Sequence, residues 1–186
     1  MRIVAGKYGS LNFDPPHGAF THPMSEKIRG ALFSTLGDLT GKTVLDAFAG
    51  SGAVGFEALS RGAKFVQAVE KDKQVAQVIQ GNARKLKLGE EFKVTQANCA
   101  TWAENNPDRH FDIIIADPPF NKPSIEAIMK LVDLSVPGGL LVVSSPSKQP
   151  IVLYETSLKL LRQKAYGDAE LSFYQLAEPV ESSPKV

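Results

Sequence analysis

The sequence predicts an α/β fold, a mostly parallel β-sheet with helices on both faces. Strand-like runs at Thr43–Phe48, Lys64–Val69, Phe92–Gln96, Phe111–Ala116 and Leu140–Val143, most of them apolar, alternate with stretches of helical periodicity. Strands that are apolar throughout and separated by helices belong to parallel sheets buried on both faces. A glycine-rich turn, Gly50-Ser51-Gly52-Ala53-Val54-Gly55, follows the first run directly, and strand–glycine turn–helix is how such sheets meet a ligand.

The elements follow in order. Residues 1–22 carry Pro15-Pro16 and Gly18 and show no periodicity, so they read as turns. Ser25 stands at an N-cap, where its hydroxyl accepts an otherwise unpaired amide hydrogen. Ile28, Ala31, Leu32 and Leu36 then line one helical face up to Gly37. A helix over Ala53–Arg61 is closed by Gly62. Another at 72–88 carries Val75, Val78, Ile79 and Leu86 on one side, with Gly89 as its stop. Ile125, Ile128, Met129 and Val132 make a further helical stripe, and Pro137-Gly138-Gly139 a turn before the fifth strand. Ser157–Lys164 and Leu171–Leu176 read as two strands joined through Gly167-Asp168. That short return implies an antiparallel partner at one sheet edge. Residues 178–186 read as a loose tail.

At 186 residues, with 43% hydrophobic and 22% charged side chains, the chain reads as one globular domain over 1–186. An N-terminal segment spans 1–40 and the core 41–177. Twenty-one basic residues against 20 acidic leave a net +1, which excludes a protein that coats polyanions through global basic excess but leaves local patches open. No apolar run has the length of a signal peptide or a membrane span. The expected location is cytoplasmic, with no membrane partner. The single cysteine, Cys99, can form neither an intrachain disulfide nor a cysteine-rich metal site. His17, His22 and His110 are scattered, so no metal is expected.

Gly50, Gly52 and Gly55 satisfy G-x-G-x-x-G, and Glu70 lies 20 residues beyond Gly50 at the end of the second strand. Glycines let backbone approach a ligand, and an acid at that place accepts hydrogen bonds from ribose hydroxyls. The ligand is then of adenosine type; NAD, FAD and S-adenosylmethionine all remain open on the glycines alone. Asp46, four residues before Gly50, would repel a pyrophosphate and favours a cationic ligand. Its plainer role is to pair with a backbone amide.

Asp117-Pro118-Pro119-Phe120 follows Ile113-Ile114-Ile115 at the carboxyl end of a strand. The Asp117 carboxylate and the Pro118 carbonyl can accept both hydrogens of a planar exocyclic amine. Those bonds favour pyramidal nitrogen and expose its lone pair for in-line attack on a methyl group. Phe120 offers a flat face for the base, an interaction worth about 1–3 kcal/mol.

Asp46-Ala47-Phe48-Ala49-Gly50-Ser51-Gly52, Glu70, Asn98 and Asp117–Phe120 together resemble class I S-adenosylmethionine-dependent methyltransferases that modify exocyclic amines. Arg2–Gly6, Pro23–Phe33, Leu45–Ala63, Tyr166-Gly167-Asp168 and Ser172-Phe173-Tyr174 extend the resemblance to the RsmD family of 16S rRNA guanine-N2 methyltransferases over nearly the whole chain. That resemblance implies a Rossmann-like, seven-stranded, mostly parallel sheet with one antiparallel strand. It implies S-adenosylmethionine as methyl donor and ribosomal RNA or a small-subunit particle as partner. Asp46, Phe48, Gly50, Ser51 and Gly52 would hold the methionine end of the donor, Glu70 its ribose, and Asn98 with Cys99 its adenine. Asp117 to Phe120 would hold the target guanine. Arg29, the strongly anchoring cation of the first helix, is itself expected to contact RNA, its plainer role being a salt bridge to Glu26 three residues away. The chain departs from the family with Tyr8-Gly9-Ser10 in place of a basic stretch, and Met24 in place of Thr. A DNA adenine-N6 methyltransferase would use the same tetrapeptide; a nicotinamide-dependent oxidoreductase fits the glycines but neither Asp46 nor the paired prolines. The basic run Lys71, Lys73, Arg84, Lys85 and Lys87 reads first as a solvated helix face.

Overall fold

A computed structural model describes residues 1–16, 23–121 and 123–177. The expected tail at 178–186, His17 and His22 lie outside those residues. The elements are α1 (Glu26–Leu36), β1 (Thr43–Asp46), α2 (Ala53–Ser60), β2 (Phe65–Glu70), α3 (Lys73–Lys85), β3 (Phe92–Gln96), α4 (Cys99–Glu104), β4 (Phe111–Ala116), α5 (Ile125–Val132), β5 (Ser135–Pro146), β6 (Leu158–Tyr166) and β7 (Ala169–Leu176). They form one seven-stranded sheet in the order β3-β2-β1-β4-β5-β7-β6.

β1 to β5 pair in parallel, and β7 pairs antiparallel with both β5 and β6. β7 is therefore the single antiparallel strand, and it lies one place inside the edge rather than at it. The chain leaves β1 toward β2 and β3, then returns to β4 on β1's other side. The order reverses between β1 and β4, and ligands bind at the carboxyl ends of strands at such a reversal. Asp46 stands opposite Ile115 there, which places Asp46 and Asp117 on neighbouring strand ends.

Each face of the sheet buries its own core. α1, α2 and α3 cover one through Leu32, Phe33, Val54, Phe56 and Ile79 over Val44, Val66, Ile113, Ile115 and Val142. α4 and α5 cover the other through Trp102, Ile128 and Leu131 over Leu45, Ile114, Leu141 and Val143. Phe56 links Phe13 at 5.2 Å to Phe92 at 4.9 Å between ring centroids. Trp102 and Phe111 are core, as their type predicts.

The caps explain the boundaries. Ile28 N donates to the Ser25 hydroxyl at 3.3 Å, and Gly37 ends α1 at φ +76°. α3 stops at Lys85, before Gly89, because Lys87 turns the chain at φ +56°. The turn expected at Pro137–Gly139 is a bulge within a longer β5. Phe111 pairs with Ser135 and Ile113 with Leu140, so residues 136–139 loop out opposite Asp112.

Residues 1–16 form turns and no helix or strand, as their aperiodic sequence predicts, yet they are docked on the core. Arg2 bridges Asn12, and Ile3 and Phe13 are buried. Glu57, fully buried on α2, holds the segment by accepting Val4 N at 2.7 Å and Ala5 N at 3.1 Å. Tyr8 N donates to the Ser60 hydroxyl at 2.9 Å, and that hydroxyl donates to the Ala5 carbonyl. Glu57 also accepts Arg29 Nε at 3.4 Å and Arg61 Nε at 2.8 Å.

Candidate active site

The site lies along the carboxyl ends of β1, β2, β3 and β4. β1 ends in Asp46 and turns through residues 47–52 into α2. Gly50 and Gly52 adopt φ +53° and +76°, a region that strains other residues. A Cβ on Gly52 would lie 2.9 Å from Ile79 Cγ2, and one on Gly55 3.0 Å from Phe92 Cε2. Those two glycines serve close helix–sheet packing. Over Gly50 the nearest atom to a Cβ would be the Phe48 carbonyl oxygen at 3.9 Å, so a ligand can approach its backbone.

Glu70 closes the turn from the next strand. Its Oε2 accepts Gly50 N at 2.8 Å and its Oε1 accepts Asp72 N at 2.8 Å. Asp72 in turn caps α3 through Gln74 N and Val75 N. Beyond β3, exposed Asn98 caps α4 by accepting Ala100 N at 2.9 Å and Thr101 N at 3.3 Å. This six-residue helix is too short for periodicity to announce; Asn98 was its available signal. Cys99 is buried within it, and burial pushes its thiol up to about 11. That is the wrong direction for a nucleophile.

Asp46 is buried at 1% exposure, with Oδ2 accepting Gly55 N at 3.0 Å. It therefore has the plainer amide-pairing role, whatever else it does. Burial above all, opposed by that bond and helped by the Asp117 and Glu70 charges, raises its pKa to about 7. Asp117 is half-buried, and desolvation lifts it to about 6 against the Ser144 hydroxyl beside it. The edge is thus a low-dielectric place where negative charge is crowded. Pro118 is buried, whereas Pro119 is exposed and Phe120 keeps 40% of its surface in solvent. Phe48 is half-buried in the turn, and Ser51 is buried with its hydroxyl 3.4 Å from Ala53 N.

Arg29 stands apart from this group. It is 1% exposed, and its guanidinium donates to Glu57, to the Met24 carbonyl at 3.2 Å and to the Arg2 carbonyl at 2.7 Å. A side chain so enclosed cannot contact RNA in this structure, and the reading that it does is corrected. Glu26, its expected intrahelical partner, pairs with Arg2 at 2.9 Å instead. Two hollows of about 410 and 380 Å³ lie against α3, and neither includes a residue of the turn or the tetrapeptide. Among the described residues, no group of three His, Cys, Asp or Glu is placed to hold a metal ion. None of their helices is long and apolar enough to cross a membrane.

A mostly parallel sheet with this strand order, glycine turn, acid at the end of β2 and Asp-Pro-Pro-Phe after β4 defines a class I methyltransferase domain. Residues 1–175 match the family described as conserved hypothetical protein 95. The chain is 30% identical over 181 residues to the ribosomal RNA small subunit methyltransferase D of Haemophilus influenzae, covering 94% of this chain and 93% of that one. It is 28% identical over 186 residues to the Escherichia coli protein of the same name, covering 98% and 93%. A solved Escherichia coli candidate methyltransferase, yhhF, superposes with a TM-score of 0.83 at 28% identity, covering 96% of this chain and 99% of that one. The chain belongs to the RsmD family.

Proposed function

We propose that the protein transfers a methyl group from S-adenosylmethionine to the exocyclic N2 of a guanine in small-subunit ribosomal RNA. The observation that carries this is the crowding of Asp46, Glu70 and Asp117 around an open glycine turn, with exposed Phe120 next to Asp117. The names of its relatives support ribosomal RNA as the substrate.

The residues fit the donor. Three carboxylates in a partly desolvated edge favour a ligand carrying ammonium and sulfonium charge, and would repel a pyrophosphate. Asp46 and residues 48–52 hold its methionine end, Glu70 accepts from its ribose, and Asn98 with Cys99 flanks its adenine. When bound, S-adenosylmethionine supplies a methyl group already activated for displacement.

The chain's own work is at the target base. Phe120 stacks the base, which must leave its own stack to reach the site. The Asp117 carboxylate and the Pro118 carbonyl accept the two amine hydrogens and turn the nitrogen lone pair toward the methyl carbon. The new N–C bond forms as the carbon–sulfur bond breaks, leaving a neutral thioether. The surplus proton on nitrogen passes to Asp117, whose raised pKa of about 6 suits it to receive one. Alignment of this kind contributes at most about 7–11 kcal/mol to lowering the barrier.

The test is nucleoside mass spectrometry of unmodified small-subunit RNA and particles after incubation with enzyme and labelled donor. N2-methylguanine is expected. Label in N6-methyladenine, or in no nucleoside, overturns the reading.

A further inference from the structure

β6 is one of the two edge strands of the sheet, and seven of its nine residues are solvent-exposed. It carries Lys159, Arg162 and Lys164 and no acid. Lys159 and Arg162 are three apart, so a regular strand would send them to opposite faces. The pairing with β7 is irregular at this point. Lys159 pairs with Gln175 and Leu160 with Tyr174, whereas Arg162 pairs with Phe173 and Lys164 with Leu171. Leu161 is the extra residue of a bulge, which resets the alternation.

Residues directly opposite share a face of the sheet. Phe173, Leu171 and Ala169 belong to the core under α1–α3, and Tyr174 to the other core. Arg162, Lys164 and Tyr166 therefore share the α1–α3 face, and the bulge brings Lys159 onto it as well. The Lys164 ammonium lies 5.4 Å from the Tyr166 ring centroid, as that shared face requires. Leu160 and the Gln163–Glu170 pair, at 2.6 Å, take the other face. None of the three cations forms a salt bridge among the described residues.

The strip is aimed at the active site. Ser144 pairs with Leu171, and Leu171 with Lys164. Asp117 follows Ala116, which pairs with Val143, and interacts with the Ser144 hydroxyl. Asp117, Ser144, Leu171 and Lys164 thus form one row, about 14 Å long at three inter-strand steps. From Lys164 the basic residues run back along the edge, away from the site.

We infer that Lys159, Arg162 and Lys164 form a phosphate-binding strip for the RNA backbone flanking the target nucleotide. The inference rests on the proposed RNA substrate. It gives a chain of net charge +1 a local positive track where its N-terminal Tyr8-Gly9-Ser10 supplies none. Phosphate contacts of this kind position a strand without reading its sequence.

The test compares full-length wild type with the triple variant K159Q/R162Q/K164Q for binding to transcribed small-subunit RNA across a salt series. A second variant, K64Q/K87Q/K93Q, removes equal charge at the amino-terminal end of the strands. The strip predicts that K159Q/R162Q/K164Q lowers the slope of log affinity against log salt by about 2, and affinity on the order of a hundredfold at 0.1 M salt. S-adenosylhomocysteine affinity and Tm should not change, and K159R/K164R should bind as wild type. Equal losses in both triple variants, or wild-type binding by K159Q/R162Q/K164Q, overturn the strip and leave its charges as protection against edge-to-edge pairing. Wild-type protein that neither binds nor methylates the RNA overturns the RNA reading, and the strip with it.

Discussion

The Glu70 carboxylate accepts the backbone N–H of Gly50 at 2.8 Å, joining the end of β2 to the turn after β1. Parallel pairing of β1 with β2 puts Asp46 beside Ala68, so an acid two residues later reaches the turn that follows Asp46. The interval of 20 residues between Gly50 and Glu70 is therefore set by one crossover. The acid both shapes the glycine turn and stands where a ribose would meet it.

Replacing Glu70 should accordingly do more than remove a ligand contact. Glu70→Ala is expected to weaken S-adenosylhomocysteine binding about ten- to a hundredfold, the worth of a charged hydrogen bond. Glu70→Gln keeps one acceptor and should fall between. Titration calorimetry measures both; wild-type affinity in Glu70→Ala would show that the acid serves the turn alone.

Asp117 sets the second prediction. Asp117→Ala should lower turnover on the order of a hundred- to a thousandfold, as loss of a preorganised charged contact at the reacting group does, while S-adenosylhomocysteine affinity holds. Phe120→Ala should act through lost stacking, and Phe120→Tyr should be tolerated. Because the ionised form accepts the amine hydrogens, kcat in wild type should fall as pH drops through about 6. Rate measurements from pH 5 to 8 check this, and a profile flat through that range would remove Asp117 from the chemistry.

What was legible in the sequence was mostly local. β4 occupies Phe111–Ala116 as its apolar run predicts, because a strand buried on both faces advertises itself; β3 occupies Phe92–Gln96 as expected although it is an edge strand with only Phe92 buried. Ser25 and Gly37 bounded α1 through side-chain and backbone chemistry within a few residues. What escaped depended on distant partners. Arg29 looked like a surface cation since its partner Glu57 lies 28 residues away; an acid inside the apolar helix Ala53–Ser60 was the only hint of a buried pair. The place of β7 between β5 and β6 was also hidden, although the basic, exposed character of β6 marks it as the edge. The carboxylates at the site were legible by type, but Asp46's burial and its bond to Gly55 were not.

The correction of Arg29 gives the third prediction. Removing one member of a buried ion pair strands the other, at a cost of about 3–5 kcal/mol. Glu57 keeps Arg61 Nε and the Val4 and Ala5 amides, so Arg29→Ala should lower stability by no more than that order in urea denaturation, as Glu57 loses one of four donors and the Arg2 and Met24 carbonyls lose the guanidinium. Where the variant remains folded, the salt dependence of RNA affinity should match wild type. A reduced slope would mean that Arg29 reaches RNA after rearrangement.

Asp46 supplies the last. Its folded pKa of about 7 stands above the ordinary carboxylate value of 3.8, so the folded state binds more protons than the unfolded chain between those values. Stability contributed by this group is then fully present below about pH 4 and declines as pH rises through 7. Asp46→Asn, which keeps an acceptor for Gly55 N, escapes that decline. It should be more stable than wild type at pH 8 by a few kcal/mol and should converge with it toward pH 4, as chemical denaturation at both pH values would show. The cationic donor should reverse the shift. Positive charge beside Asp46 favours its ionised form, so S-adenosylmethionine binding at pH 7 should release protons, and more than S-adenosylhomocysteine binding does. Calorimetry in buffers of different ionisation enthalpy reads that difference directly, and Asp46→Asn should abolish it. Equal proton release by the two ligands would place the sulfonium away from Asp46, and no release by either would leave the carboxylate as a partner for the Gly55 amide only.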